Sequence, residues 1–371
     1  VYGMAGSAYI LMIPTVTFSN YFRAHIAGDS PLADAIWAAM VAIALVLAGV
    51  LGPFLGAYAD QARARRKLLL ISTCLAAVAT ALLSLVTKGQ IMLGAVVFIG
   101  AHLCFLIAKA IYDSYLPLLG EKSELPVISS AGWGLGYIGS LACFALSLPV
   151  LRGAWGGDEP WALQMTILIT AIFLAALALP ALLFFPPDER RHADAGPGRK
   201  GPIAQVAGTL SKWRDHREAF KFLAAYYLIN DAVVTWLLFV GIFMRVVFGL
   251  SVEQILYLSL LFYGIAIPAT AAFGWLGKAW SERNAIYVTL AIWLALLAVM
   301  AMSAGARTPW LIAVLAGLVV GSTQALCRSL YARMIPPDRT SEFFGFNVFV
   351  GRASAALGPL VYGLVAAATQ D

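Results

Sequence analysis

Charged side chains are scarce in this sequence. Asp, Glu, Lys and Arg make up 12% of its 371 residues, whereas a soluble domain carries about twice that share. Apolar residues make up 61%, and the mean hydropathy is +0.84. A chain with so little charge is not a water-soluble globular domain, and its long apolar segments predict a polytopic membrane protein.

Residues that carry metal, redox or hydrolytic chemistry are also sparse. The four cysteines, Cys74, Cys104, Cys143 and Cys327, each lie alone in an apolar segment, without CxxC spacing or a nearby histidine cluster. We interpret them as small buried hydrophobes. A GxGxxG pattern at 134–139 lies inside an apolar segment with no preceding strand, so it does not indicate a nucleotide site. We therefore expect neither an enzyme nor an ATP-driven pump, and no metal or cofactor.

Long apolar segments are what the sequence has in abundance. Each is long enough to cross a hydrocarbon core about 30 Å thick as a helix, and a helix satisfies its own backbone hydrogen bonds there. The eleven predicted spans are 2–22, 35–58, 68–87, 91–116, 127–150, 162–185, 219–247, 253–277, 285–304, 310–334 and 344–368. The predicted fold class is an all-α polytopic membrane protein.

Positive charge sets the expected orientation. The turn within 52–70 holds four cations in a very short connection: Arg63, Arg65, Arg66 and Lys67. Basic residues in short loops stay on the cytoplasmic side, and the connections on that side carry 17 Lys and Arg residues against five on the other. We predict a bacterial cytoplasmic (inner) membrane protein whose N-terminus and central linker are cytoplasmic. Topology explains the net charge of +6, so no nucleic-acid partner is expected.

One long hydrophilic connection divides the chain. It separates an N-terminal six-span bundle at 1–186 from a C-terminal bundle at 219–371, and this linker at 187–218 begins with a Pro-, Gly- and charge-rich stretch typical of a flexible segment. Its second part places Ile203, Val206, Ala207, Leu210 and Trp213 on one helical face. We predict an amphipathic helix on the cytoplasmic membrane surface; the alternative is a solvated linker helix without a function.

The second half of the chain repeats the first with a constant offset of 218 residues. The matching positions are Gly56 with Gly274, Asp60 with Lys278, and Glu124 with Glu342. Internal repeats of this kind are common in transporters. The offset also predicts a twelfth span near residue 380, so we expect a trimmed chain whose complete form ends in the cytoplasm.

Several motifs resemble those of a known transporter family. The turn after the second span, with Gly56, Asp60 and the basic cluster that follows, resembles the signature loop of the major facilitator superfamily. Longer stretches resemble its vacuole-effluxer-like branch, which is related to autophagy-associated amino-acid exporters: IYDSYLP (111–117), SSAGWGLGYIG (129–139), YLINDAV (227–233), GSTQALCRSLYARMIPPDRTSEFFGFN (321–347) and GRASAALGP (351–359). The first span departs from the branch, with Gly3, Met4 and Gly6 where it has Asp, Trp and Asn.

The resemblance implies a major facilitator fold. In that fold two six-helix bundles surround a central cavity lined by spans 1, 4, 7 and 10, and transport proceeds by alternating access. Excluding helix ends and loops, the ionisable residues within the predicted spans are His102, Lys109 and Asp113 on span 4, Asp231 on span 7, Arg328 on span 10 and Arg352 on span 11. All of them except Arg352 fall on the expected cavity helices.

Two polar stripes form the core of the predicted site. They consist of His102, Lys109 and Asp113 on span 4, and of Gln324, Arg328 and Tyr331 on span 10. At 100° per residue, the members of the first stripe lie within about 40° of one helical face, and the second follows the same spacing. An ion in the hydrocarbon region is costly unless it faces water or a partner, so both stripes should point inward.

We predict that Lys109 and Arg328 bind a carboxylate or phosphate of the substrate, since a guanidinium can hold either group in bidentate fashion. Gln324 and Asn230 complete the predicted substrate site. For Lys109, the alternative is an ion pair that closes a gate or holds helices together.

Asp231 is the predicted proton carrier, because protonation of a carboxylate and binding of a neighbouring anion favour each other. Asp113 is assigned to the same proton coupling, although a structural pair with Lys109 is equally open. For His102, a hydrogen-bonded packing role is the alternative to solute or proton binding.

Gating is predicted for Asp60, Arg63 and Arg352. Asp60 should contact the start of the last predicted span, whose N-terminal dipole favours a nearby carboxylate.

The leading functional hypothesis is a proton-coupled secondary transporter of a small polar, carboxylate-bearing solute such as an amino acid. The alternatives are a non-transporting sensor or assembly factor on the same fold and a transporter of lipids or other amphiphiles. Expected partners are the solute, protons and membrane lipid, and the expected oligomeric state is a monomer.

Overall fold

A computed structural model describes residues 1–28, 30, 32–185, 201–302, 305–355, 358 and 361. Helices form the regular structure of these residues, and no strand occurs among them. The α-helices are α1 (Tyr2–Ile10), α2 (Phe18–Tyr21), α3 (Ala33–Ala62), α4 (Arg65–Leu83), α5 (Ile91–Ser114), α6 (Leu125–Leu151), α7 (Glu159–Phe184), α8 (Pro202–Ser211), α9 (Arg217–Phe248), α10 (Val252–Ala279), α11 (Glu282–Met302), α12 (Thr308–Met334) and α13 (Thr340–Ser354).

Within the described residues, nine helices are long and apolar enough to cross a membrane. They are α3 to α7 and α9 to α12, which correspond to the second to tenth predicted spans. The first predicted span, 2–22, is instead a broken helical run. Two π-helical segments, Leu11–Val16 and Phe22–Ile26, interrupt it, and the first of these contains Pro14, which lacks the N–H that an α-helix needs.

Two helices near predicted boundaries differ from the expected lengths. The linker helix α8 ends at Ser211. The residues of its predicted apolar face differ in burial, because Val206 is buried whereas Ile203 is 73% exposed. The last predicted span, 344–368, begins four residues earlier, as α13. Most of that span after Ser354 lies outside the described residues, as does 186–200 of the linker.

The helices form two compact units. Unit 1 consists of Val1–Ser114, Leu135–Ser211 and Asp338–Phe349, and unit 2 consists of Tyr115–Gly134, Lys212–Pro337 and Val350–Asp371. Each unit therefore includes a short segment from the opposite half of the sequence. The division into bundles at 1–186 and 219–371 stays a prediction.

Stacked aromatic rings make up much of the core of unit 1. Phe18 and Phe98 stack with their ring centroids 5.5 Å apart, and Trp37 packs against both. Tyr9 stacks on Phe105 at 4.1 Å. These ring contacts join the broken first run to α3 and α5. Each large apolar side chain that is buried stabilises the fold by about 1.5–3 kcal/mol.

In unit 2, α12 is the central helix, and α9, α10 and α11 pack against it. Small residues allow the close approach: a Cβ added at Gly317 would lie 3.0 Å from the carbonyl oxygen of Phe262 in α10. Trp293 of α11 is buried in the same apolar cluster as Ala316 and Val320 of α12, and it donates its indole N–H to Thr323 at 3.1 Å.

One close helix crossing in unit 1 joins α3 to α13. Gly56 lies directly against the backbone of Ser341, so that an added Cβ would overlap the Ser341 carbonyl group. One turn earlier, Gly52 faces Gly345 in the same way. Only glycine permits two backbones to approach this closely.

A second close crossing, in unit 2, occupies the repeat-related position. Gly274 of α10 lies against α6, where an added Cβ would be 2.9 Å from the carbonyl oxygen of Pro126 and 2.5 Å from Ser130. Lys278, one turn after Gly274, forms an ion pair with Glu124 at 2.7 Å. The 218-residue repeat therefore extends to the packing of the helices.

Both crossings should fail when a methyl group is added. We expect Gly56→Ala and Gly274→Ala each to lower the free energy of unfolding by about 1–3 kcal/mol, because overpacking displaces the facing backbone. Thermal unfolding of the purified protein measures this. Gly264→Ala on α10 is the matched control, since nothing lies within 4 Å of its added Cβ. An equal melting temperature for all three variants would contradict the prediction.

Candidate functional site

The predicted contact of Asp60 with the start of the last span is confirmed. Its carboxylate, 2% exposed, accepts hydrogen bonds from the backbone N–H groups of Ser341 and Glu342 at 3.2 and 2.9 Å. Arg65 donates its Nε to Asp60 Oδ1 at 2.9 Å. The first amides of a helix lack intrahelical acceptors, so Asp60 satisfies amides that α13 leaves unpaired.

Arg63 ends α3 in the left-handed conformation, with φ of +51°. It is the one non-glycine residue with a positive φ in the described part of the chain. The reversal starts α4 at Arg65, which is then within reach of Asp60. The gating role of Arg63 stays a prediction, and the structure places the residue at the turn beside the α3–α13 crossing.

Glu342 is a site residue that the sequence analysis did not assign. Its side chain is fully buried at the start of α13. Gln205 Nε2 donates to its carboxylate at 2.5 Å, and Thr209 Oγ1 donates at 2.6 Å. Both donors belong to α8. Neutral Gln and Thr residues on a linker helix give no sequence signal of such a contact, and the repeat relating Glu342 to Glu124 was the only available pointer.

Lys109 and Asp113 form an ion pair on α5, with Nζ and Oδ2 separated by 2.5 Å. Their side chains are 25% and 14% exposed, so both are accessible. Lys109 Nζ also lies 5.7 Å from the ring centroid of Tyr112, which stacks on Tyr2 at 4.6 Å. A predicted anion-binding group and a predicted proton-coupling group are therefore adjacent, beside an aromatic surface.

His102 packs among aromatic rings. Its ring centroid lies 5.5 Å from that of Phe98 and 5.9 Å from that of Tyr9, in stacked orientations, and the residue is 5% exposed. This environment favours the packing interpretation of His102.

A polar cluster lies inside unit 2 where α9, α12 and α13 meet. Tyr226 donates its hydroxyl to Gln324 Oε1 at 2.9 Å, and Gln324 Nε2 donates to Asn230 Oδ1 at 3.1 Å. Asn230 Nδ2 donates to Gly351 O at 3.0 Å and to Ser354 Oγ at 2.8 Å. The structure thus brings the predicted binding residues Asn230 and Gln324 together, and Asn230 also holds three helices in place.

Asp231, the next residue on α9, is partly buried. Its Oδ1 accepts a hydrogen bond from the backbone N–H of Gly358 at 2.7 Å, and no cation forms an ion pair with it among the described residues. Arg352 on α13 is partly exposed, and within the same residues no carboxylate lies at ion-pair distance from it. Among the described residues, a carboxylate on α9 and a guanidinium on α13 are therefore each without a salt bridge.

Arg328 of α12 binds the start of α6. Its Nε donates to Ser129 Oγ at 3.0 Å, and an Nη donates to Ser129 O at 2.9 Å. Nearby, the buried Glu282 accepts hydrogen bonds from Ser329 and Arg333, a structural pair that the sequence analysis also did not assign.

The predicted site residues fall into three local groups. These are Asp60 and Arg63 at the α3–α13 crossing, Lys109 and Asp113 on α5, and Asn230, Asp231, Gln324, Arg328 and Arg352 in unit 2. Within the described part of the chain, no group of three His, Cys, Asp or Glu side chains is arranged to hold a metal ion. The binding, coupling and gating roles of these residues stay predictions.

Solved structures with similar folds include membrane transporters. The chain aligns over its whole length with the proton:xylose symporter XylE, with a TM-score of 0.70, 14% identity and 87% of that chain covered. The outward conformation of FucP, a major facilitator superfamily transporter, gives a TM-score of 0.70 with 15% identity, over 100% of this chain and 90% of FucP. At such low identity, these matches establish the fold and not the substrate.

Curated relatives include bacterial and fungal proteins. The chain is 24% identical, over 377 aligned residues, to YxiO of Bacillus subtilis, described as an uncharacterized MFS-type transporter; the match covers 100% of this chain and 87% of YxiO. Autophagy-related protein 22 of Gibberella zeae is 23% identical over 283 residues, covering 68% of this chain and 42% of the fungal protein. The chain thus spans less than half of that fungal relative.

The profile of the family described as "Vacuole effluxer Atg22 like" matches residues 25–371, which is nearly the whole chain. Together with the nine helices of the described residues that are long and apolar enough to cross a membrane, and the fold of the solved transporters, this match identifies the chain as an integral membrane protein that belongs to the Atg22-like vacuole effluxer family of the major facilitator superfamily.

Proposed function

We propose that this protein is a proton-coupled secondary transporter of a small polar, carboxylate-bearing solute such as an amino acid, acting by alternating access in a bacterial inner membrane. The observation that carries the proposal is Asp231. A carboxylate on a membrane helix is costly unless it has a partner or a function, and this one has a single backbone donor and no ion pair among the described residues.

Proton coupling follows from the chemistry of that position. Binding of an anionic solute near Asp231 favours its protonation, and by reciprocity protonation favours binding. Two structural neighbours support this part of the proposal, because XylE is described as a proton:xylose symporter and FucP as a fucose:proton symporter.

Solute binding is assigned to a cation in each unit. In unit 1, a solute carboxylate competes with Asp113 for Lys109, while Asp113 becomes available to a solute ammonium group or a proton. In unit 2, Arg328 presents a planar guanidinium that suits a carboxylate, and Gln324 and Asn230 add neutral donors and acceptors. An uptake screen in proteoliposomes, covering amino acids, peptides and organic anions with and without a pH gradient, tests this assignment.

The gate is assigned to the α3–α13 crossing. Asp60 holds the start of α13 through two backbone amides. Gly52 and Gly56 of α3 contact the backbone of α13 directly, so the two helices can move apart without disentangling large side chains. In the proposed cycle this crossing is formed in one state and broken in the other, and Arg63 and Arg352 act in the same transition.

A second candidate function is transport of an amphiphile. Unit 2 contains a cavity of about 210 Å³ between α9, α10 and α12, whose surface is mainly apolar. Its lining includes Trp236, Met244, Phe262 and Ile312. This cavity suits an acyl chain, and fluorescent-lipid transfer in the same proteoliposomes separates the two candidates.

Asp231→Asn should abolish gradient-driven accumulation and leave solute exchange intact. The amide keeps the size of the side chain and its hydrogen bond from Gly358 but cannot carry the proton. Accumulation should fall to the equilibrium level, with inside and outside concentrations about equal, while counterflow continues. Asp34→Asn, at an exposed carboxylate (83%), is the control. Wild-type accumulation in Asp231→Asn would remove this residue from the mechanism.

Arg328→Ala should weaken solute binding by about tenfold or more, since hydrogen bonds to a charged group contribute about 1.5–3 kcal/mol. Equilibrium binding of the solute found in the screen measures this. Ser129→Ala is the matched comparison, because it removes the hydroxyl that Arg328 binds but keeps the guanidinium. If Ser129→Ala weakens binding as much as Arg328→Ala, then Arg328 acts only by bracing α12 against α6.

Asp60→Asn should destabilise the closed crossing by about 3–5 kcal/mol, because Arg65 loses its buried carboxylate partner. We expect slower transport and a larger population in which α3 and α13 are apart. Spin-label distance distributions between these helices, measured together with transport rates, report both effects. The gate assignment is wrong if neither the distances nor the rates change.

A further inference from the structure

The linker helix α8 supplies the donors for a buried carboxylate at the gate. Glu342 is 0% exposed, and its two carboxylate oxygens accept hydrogen bonds from Gln205 Nε2 and Thr209 Oγ1 at 2.5 and 2.6 Å. These two side chains lie four residues apart and therefore on one face of α8. The face of the helix that carries them is directed at the start of α13.

The same face of α8 is anchored on α3. Val206, between the two donors, is 3% exposed, and Thr209 is 1% exposed, since α8 packs against α3. Gln61 of α3 donates its Nε2 to Gln205 Oε1 at 2.5 Å. Gln205 thus relays a hydrogen bond from α3 to Glu342, and α8 bridges the two helices of the crossing.

The two buried carboxylates of the crossing differ in their partners, and Glu342 needs the donors of α8. Asp60, the other buried carboxylate of the crossing, has Arg65 as a partner. Glu342 forms no ion pair with any described residue; Arg339, nearby, donates instead to Thr209 Oγ1 at 3.3 Å. A buried carboxylate without donors is strongly destabilising. The burial of Glu342, and with it the closed crossing, therefore depends on the two neutral donors of α8.

We propose that α8 is a latch that holds the α3–α13 crossing closed through Glu342, and that α8 must release Glu342 before the crossing can open. The linker then controls the conformational equilibrium of the transporter as well as joining its halves. This inference rests on the proposed gating role of the crossing, but it requires neither a particular solute nor proton coupling.

Hydrogen–deuterium exchange of the full-length protein in lipid nanodiscs tests the latch directly. The backbone amides of Ser341 and Glu342 are protected while they bind Asp60, so their exchange rate reports opening of the crossing. We expect Gln205→Leu combined with Thr209→Val to increase that rate by about tenfold. Ser211→Ala, which removes a hydroxyl bonded only within α8 among the described residues, is the matched control and should leave the rate unchanged.

A background variant tests whether Glu342 transmits the effect. Glu342→Gln removes the buried charge, so the same two α8 substitutions should then change the exchange rate by less than about twofold. An unchanged rate at α13 in the original double variant, with faster exchange confined to α8, would overturn the latch. So would a full tenfold effect in the Glu342→Gln background, because α8 would then act by packing alone. None of these outcomes depends on whether Asp231 or Arg328 has its proposed role.

Discussion

Two carboxylates are buried at one helix crossing, and the requirement that each be matched by donors organises the structure around it. Asp60 is matched by the first amides of α13 and by Arg65, and Glu342 by α8. The close approach that buries the two carboxylates requires glycine at position 56. Arg65 reaches Asp60 because the chain reverses in a left-handed turn at Arg63. The short α3–α4 loop, Gly56 and the linker helix α8 thus together allow two carboxylates to be buried with hydrogen-bond donors.

The repeat-related crossing in unit 2 meets the same geometric demand with different chemistry. Gly274 allows the same close approach, but the charges are Lys278 and Glu124, whose side chains are 43% and 42% exposed. Exposed ion pairs contribute roughly 0–1 kcal/mol, whereas an unmatched buried charge is far more costly. The two crossings therefore have the same packing geometry but differ in how much stability each loses when a polar partner is removed. The α3–α13 crossing, whose carboxylates are buried, loses more, so a small local change is better able to open it.

Local signals in the sequence were sufficient for much of the fold. The nine long apolar helices in the described part of the chain follow from the length of the apolar segments. The contact of Asp60 follows from a carboxylate in a short loop and the dipole of a helix start. The sequence could not reveal that Gln205 and Thr209 bind Glu342, because neutral side chains more than 130 positions away follow no local spacing rule. For the same reason the bond between Arg328 and Ser129 was not foreseen. The break in the first span was missed because one proline, Pro14, hardly changes the mean hydropathy of an apolar segment.

The exchange of segments between the units constrains the order in which the protein folds as it is made. Unit 1 includes Asp338–Phe349, and unit 2 includes Tyr115–Gly134. The first half of the chain therefore leaves the ribosome with α3 lacking its partner in α13, and with the start of α6 lacking its partners in α10 and α12. Neither unit can be completed until most of the chain has been synthesised. Insertion of the early helices is separated in time from their final packing, and a chain divided at the linker would give two fragments that contain no complete unit.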